Sequence, residues 1–100
     1  MDQVEVLDAA TVDAELAETG LAWRREGNEL MRTWSGEDFA EALAFVDAVG
    51  VLAEEADHHP DIDIRWNRVV LRLSTHSAGG ITRRDLQLAS RIDALASPGD

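Results

Sequence analysis

The chain has 100 residues, 45% of them hydrophobic, with no cysteine and a formal net charge of −11. One domain spanning residues 1–100, with its core at about 8–96, is all that this length supports, and the composition is globular rather than disordered. Disulfide scaffolds and thiol chemistry are excluded, and the excess of acid argues against nucleic acid or an anionic membrane as partner.

The absence of cysteine suits a reducing cytoplasm. The opening MDQVEVLDAA has no basic region and no long apolar run, so no secretion signal is expected. No stretch approaches the roughly 20 apolar residues that span a bilayer. Two arginine pairs, in WRREG and ITRRD, are each followed closely by an acid and read as solvated surface.

The first predicted element is a helix over DAATVDAELAETG. Asp8 is a suitable cap, Val12 and Leu16 recur at i and i+4, and Gly20 is a suitable stop. LAWRREGNELMRTW then reads as a hairpin about Gly27-Asn28. Its register sets Trp23 opposite Arg32, Leu21 opposite Trp34 and Glu26 opposite Glu29. Leu21, Trp23, Leu30 and Trp34 then share one face.

Ser35 to Asp38 resembles a capping box that opens a long helix running to Asp57. Phe39, Leu43, Val46, Gly50 and Ala53 form one stripe, with Ala42, Phe45, Val49 and Leu52 beside it, a broad face suited to a sheet. Pro60 disfavours helical geometry at His59, so the His58-His59 pair falls where this helix stops. Ile62, Ile64 and Trp66 alternate with Asp63 and Arg65 as a strand. After a turn near Asn67-Arg68, Val69, Leu71, Leu73 and Thr75 alternate with Val70, Arg72, Ser74 and His76 as another. Thr82 to Asp85 opens a last helix with Leu88, Ile92 and Leu95 inward, and ASPGD reads as a frayed tail. The order α-β-β-α-β-β-α predicts an α+β fold, a four-stranded antiparallel sheet with helices packed on one face.

The three histidines carry the functional question. As caps and turn formers they would need no further role. As metal ligands they would need three or four converging groups, and the chain offers Asp57, Asp61 or Asp63 but no His-x-x-x-His spacing. Adjacent side chains on extended backbone also point apart, which makes His58 and His59 poor co-ligands. As acid/base groups they titrate near neutral pH, with Glu54, Glu55, Asp57 and Asp61 nearby. No nucleophile elbow accompanies Ser74, Thr75 or Ser77.

From Glu54 the chain runs three residues to His58-His59-Pro60, five to Trp66, nine to His76 and eight to Asp85. This spacing resembles the extended motif of the pterin-4a-carbinolamine dehydratases, and LSTHSAGGITRRDLQLASRID resembles their closing strand, loop and helix. The resemblance covers about residues 20 to 95. It implies an enzyme that expels water from a 4a-hydroxytetrahydropterin, the product of aromatic amino acid hydroxylases, to give a quinonoid dihydropterin. It implies His58, His59 and His76 as the catalytic imidazoles and Asp57, Ser74, Thr75 and Ser77 as pterin-site residues, although the family often has an acid at Ser77's position.

Pro60 would aim the histidine pair. Trp66 would pack in the core or stack on the pterin. Asp85 would serve as a capping acid, with a secondary place in the substrate site, and Glu54 would orient a histidine or remain solvated. The pterin is substrate, so no cofactor and no metal is expected. A homodimer or homotetramer is expected, since so small a core gains from association. A non-catalytic member acting as dimerisation cofactor or assembly chaperone is the alternative, and retention of all three histidines argues against it.

Overall fold

Asp8 starts the first helix, α1 (Ala9–Thr19), by accepting the Thr11 N–H at 2.8 Å, and Gly20 ends it in the left-handed region. The computed structural model describes residues 5–96; beyond Ala96 the predicted frayed tail lies outside the described residues. Val12 and Leu16 are the residues α1 buries, as their spacing requires.

Strands β1 (Arg24–Glu26) and β2 (Glu29–Ser35) form a hairpin about the expected turn, but β1 starts only at Arg24, so the expected strand pairs Trp23–Arg32 and Leu21–Trp34 are not formed. Gly27 takes φ +61 in the two-residue turn, and Glu26 pairs with Glu29 in the predicted register. Trp23 and Leu30 are buried and Trp34 half-buried. Asp93 of the last helix accepts from Ala22 N–H, from Trp23 Nε1 and from Arg32, so the inward arginine of this hairpin has a counter-charge.

Helix α2 (Phe39–Ala56) starts three residues later than the predicted capping box. Ser35 is still in β2, paired with Arg68, so the cap is Asp38, which accepts the Glu41 N–H at 2.9 Å. Glu41 in turn accepts the Glu37 N–H at 2.7 Å. The buried face is Ala42, Phe45, Val49 and Ala53. Phe39 and Leu43 of the expected stripe are exposed, because the helix sits rotated toward its neighbouring stripe, where Phe45 stacks on Trp34 at 4.2 Å.

Strands β3 (Asp61–Arg65) and β4 (Arg68–Leu73) complete an antiparallel sheet of order β1-β2-β4-β3. Trp66 corrects the strand and core reading. It lies in the hairpin turn at φ +56 and is 65% exposed. Strand β4 also ends before Thr75, which instead forms an isolated bridge to Gly80.

The last helix, α3 (Arg83–Ala96), buries Leu88, Ala89 and Ile92, whereas Leu95 is exposed in its last turn. Leu30, Val69, Leu71 and Leu73 are fully buried on the face that the helices cover, and the opposite face carries Arg24, Thr33, Arg72 and Asp63. The molecule is therefore α+β, in the order α-β-β-α-β-β-α. No helix among the described residues is long and apolar enough to cross a membrane.

Candidate active site

The site is built where four chain segments end: α2, the start of β3, the end of β4 and the first turn of α3. Helix α2 stops at Asp57, which takes φ +50 and ψ +46. The His58 N–H bonds Ala53 O at 3.0 Å and the Asp57 N–H bonds Glu54 O at 3.2 Å. This pattern is a Schellman cap, here with aspartate in the left-handed position that glycine usually takes. The chain then turns sharply, and the two histidines leave the helix in different directions.

His58 turns inward and is only 7% exposed. Its Nε2 lies 2.5 Å from Asp85 Oδ1. Asp85 is fully buried, and its other oxygen accepts from the Thr82 N–H and from Thr75 Oγ1, each at 2.9 Å. Thr75 and Thr82 share a further 2.7 Å hydroxyl contact. The capping role of Asp85 and its link to a histidine therefore coexist. The buried carboxylate is satisfied by three donors, which fixes the imidazole against the sheet.

His59 turns outward, its Nε2 2.6 Å from Glu54 Oε2 on the last turn of α2. Glu54 therefore orients a histidine and is solvated as well, since its side chain is 78% exposed. His76 begins the tight loop after β4 and makes no side-chain hydrogen bond among the described residues. Antiparallel pairing of Asp61 with Arg72 returns the chain so that residues before β3 lie beside those after β4.

A cavity of about 250 Å³ opens there, lined by Asp57, His58, His59, Ser74, Thr75, His76, Ser77 and Arg84. It brings together seven of the ten site residues expected from sequence. Asp85 stands behind His58 as its anchor. Pro60 follows the pair without lining the cavity. Trp66 is at the far end of the β3–β4 hairpin, four strand residues beyond Asp61, and does not reach the cavity in one chain.

Arg84 was missed, because ITRRD reads as surface arginines. Its Nη2 donates to Asp57 O at 2.6 Å and to Ala56 O at 3.4 Å, tying the last carbonyls of α2 to α3. The neighbouring Arg83 points away to Glu15 of α1, whose carboxyl it holds below the ordinary range by hydrogen bonding. The usable signal for Arg84 was its position: it directly precedes the motif aspartate on a helix whose start must face the histidines.

A family profile described as "Pterin 4 alpha carbinolamine dehydratase" matches residues 5–95. The chain belongs to that family. A Thermomicrobium roseum protein named provisionally as a pterin-4-alpha-carbinolamine dehydratase is 55% identical over 91 residues, covering 91% of this chain and 97% of its own. A Natronomonas pharaonis protein of the same provisional name is 48% identical, covering 89% and 97%. Among solved structures, the transcriptional coactivator/pterin dehydratase of Brucella melitensis superposes with a TM-score of 0.81 at 29% identity. It covers 93% of this chain and 100% of that one. A pterin dehydratase-like protein identified as a RuBisCO assembly factor in the alpha-carboxysome superposes at 0.64 with 30% identity, over 76% and 90%. As a member of the pterin 4 alpha carbinolamine dehydratase family, the chain shares its α+β architecture. Its His-His-Pro segment falls at the end of α2.

Proposed function

We propose that the chain is a dehydratase that expels water from a 4a-hydroxytetrahydropterin by histidine acid/base catalysis. The observation that carries this reading is the single cleft lined by His58, His59 and His76. Hydroxide is a poor leaving group, so an imidazolium donates a proton to it while the ring N5 lone pair forms the new C4a–N5 double bond. A second imidazole takes a ring proton, and the products are water and a dihydropterin. Asp85 and Glu54 act through the imidazoles they hold, as positioning residues. Asp57, Ser74 and Ser77 offer polar groups to the pterin edge, while Thr75, being 2% exposed, braces Asp85.

Such a reaction moves only protons, so it calls for no metal and no cofactor. The imidazoles of His58 and His59 face different carboxylates, one buried and one exposed, which suits separate roles rather than joint ligation. A cytoplasmic homodimer or homotetramer that recycles the pterin of an aromatic amino acid hydroxylase completes the proposal.

The test is turnover of 4a-hydroxytetrahydropterin by the purified chain, followed by its ultraviolet absorbance. Acceleration well above the spontaneous dehydration is expected, and its absence would sink the enzyme reading. Phe39, Leu43 and Val51, exposed along α2, favour the alternative of a dimerisation cofactor or assembly chaperone. That reading expects no turnover and loss of partner binding when these side chains are made polar.

A further inference from the structure

A second cavity of about 250 Å³ adjoins the histidine cleft, sharing His58 and Arg84 as lining residues. Its other walls are Ala56, Gln87, Leu88 and Arg91. Ala56 and Leu88 supply an apolar floor, and the rim is polar. Arg84, Gln87 and Arg91 stand at i, i+3 and i+7 of α3 and so share one helix face.

The charges on this rim are unusual for so acidic a chain. Among the described residues, Arg24, Arg25, Arg32, Arg65, Arg72, Arg83 and Arg91 each have a carboxylate within ion-pair distance. Arg84 and Arg68 have none among the described residues, and Arg84 lines both this cavity and the histidine cleft. Arg84 bonds backbone carbonyls through Nη2, and among the described residues its Nε and Nη1 have no hydrogen-bond partner. Arg91 bonds Glu55, but both side chains are about half exposed, and an exposed pair of this kind exchanges readily for a better anion. Two guanidiniums and an amide on one helix face are suited to the oxygens of a phosphate ester or carboxylate.

We propose that this cavity is a subsite for an anionic group on the pterin's side chain, held by Arg84, Gln87 and Arg91 while the ring occupies the histidine cleft. It rests on the dehydratase reading for the ring's position and adds the substrate class: a pterin with a phosphate or carboxylate on its C6 substituent. Such an anion is also steered toward a cationic rim on a chain of net negative charge, so its advantage shrinks with salt.

The test compares 6-hydroxymethyl-7,8-dihydropterin with its phosphate monoester, binding each to the full chain by calorimetry at low and high salt. We expect the ester to bind about tenfold or more tightly at low salt, the worth of one or two charge-assisted hydrogen bonds. In Arg91→Gln the ratio should fall toward one, and this exposed position keeps the fold intact. In Arg84→Lys, which retains charge but not the fork, it should fall part of the way. Equal binding of the two compounds by the wild-type chain overturns the proposal, as does a preference that survives Arg91→Gln. Turnover of the corresponding 4a-hydroxy compounds separates the two readings. Preferential binding without dehydration removes the enzyme reading and leaves the subsite, dehydration without preference does the reverse, and no binding of either removes both.

Discussion

His58 and Asp85 meet at 2.5 Å across 27 positions of chain, joining the end of α2 to the first turn of α3. The contact is buried on both sides, so it bears on stability and, under the proposed function, on the alignment of the imidazole. Replacing Asp85 with alanine should leave the His58 ring, Thr75 hydroxyl and Thr82 N–H without their acceptor, lowering stability by about 3 kcal/mol. Asp85→Asn keeps one acceptor oxygen and should cost less stability while still misaligning the imidazole. Urea unfolding and turnover, measured on both variants, should separate in this way; equal losses of stability would contradict it.

His59 and His76 are exposed, so their loss should leave the fold intact. Each alanine variant should turn over 4a-hydroxytetrahydropterin about 10²-fold or more slowly, the usual worth of one acid/base group. The double variant should lose far less than the product, because groups acting on one reaction are not additive. Folded single variants with wild-type rates would falsify the catalytic assignment.

Asp57 occupies the left-handed region, which costs a non-glycine residue about 1 kcal/mol or more. Asp57→Gly should therefore raise thermal stability. It should also raise KM for the pterin, since Asp57 lines the cleft. A variant more stable and equally active would remove Asp57 from the substrate site.

Arg83 and Arg25 anchor the neighbourhood of α1, and their hydrogen bonds lower the carboxyls of Glu15 and Asp13 below the ordinary range. A carboxyl lowered in the folded state adds stability above its unfolded pKa and loses it as pH falls through the folded value. Wild-type stability should therefore drop on acidification below about pH 4.5, near the unperturbed glutamate value, and Glu15→Gln should flatten that drop. Parallel stability curves for the two proteins would rule this out.

Strand β3 is an edge, and Ile62, Trp66, Phe39 and Leu43 remain exposed. An edge strand and uncovered apolar side chains on so small a domain favour self-association. Light scattering at micromolar concentration should return a multiple of 11.0 kDa. The monomer mass across that range would contradict the homo-oligomer.

Zinc chelation should leave folding and turnover unchanged if the imidazoles carry protons. Activity lost to a chelator and restored by zinc alone would reassign them as ligands.

Local chemistry made much of this structure legible. Gly27-Asn28 set the register of the three pairs next to the turn, Glu26–Glu29 among them, because turn length leaves one pairing there, while the pairs expected further out at Trp23 and Leu21 do not form. Trp66 was misread because its two-residue spacing from Ile64 continues a pattern that the turn interrupts. Phe39 and Leu43 were misread because two adjacent apolar stripes on α2 were equally good candidates for burial, and only the packing of Phe45 on Trp34 chooses between them. At the candidate site, motif spacing singled out the histidines and Asp85, which the fold brings to one cavity and its wall. The role of Arg84 depends on where two helix ends meet, which no local pattern encodes.

Every residue lining the histidine cleft falls between Asp57 and Arg84, while α1, β1, β2 and α2 line none of it. The proposed chemistry thus occupies the later part of the chain, and the earlier part serves as its platform. A lineage can recast the outward side of α1 and α2 to suit a new associate without touching the imidazoles, or can lose the imidazoles and keep the associate.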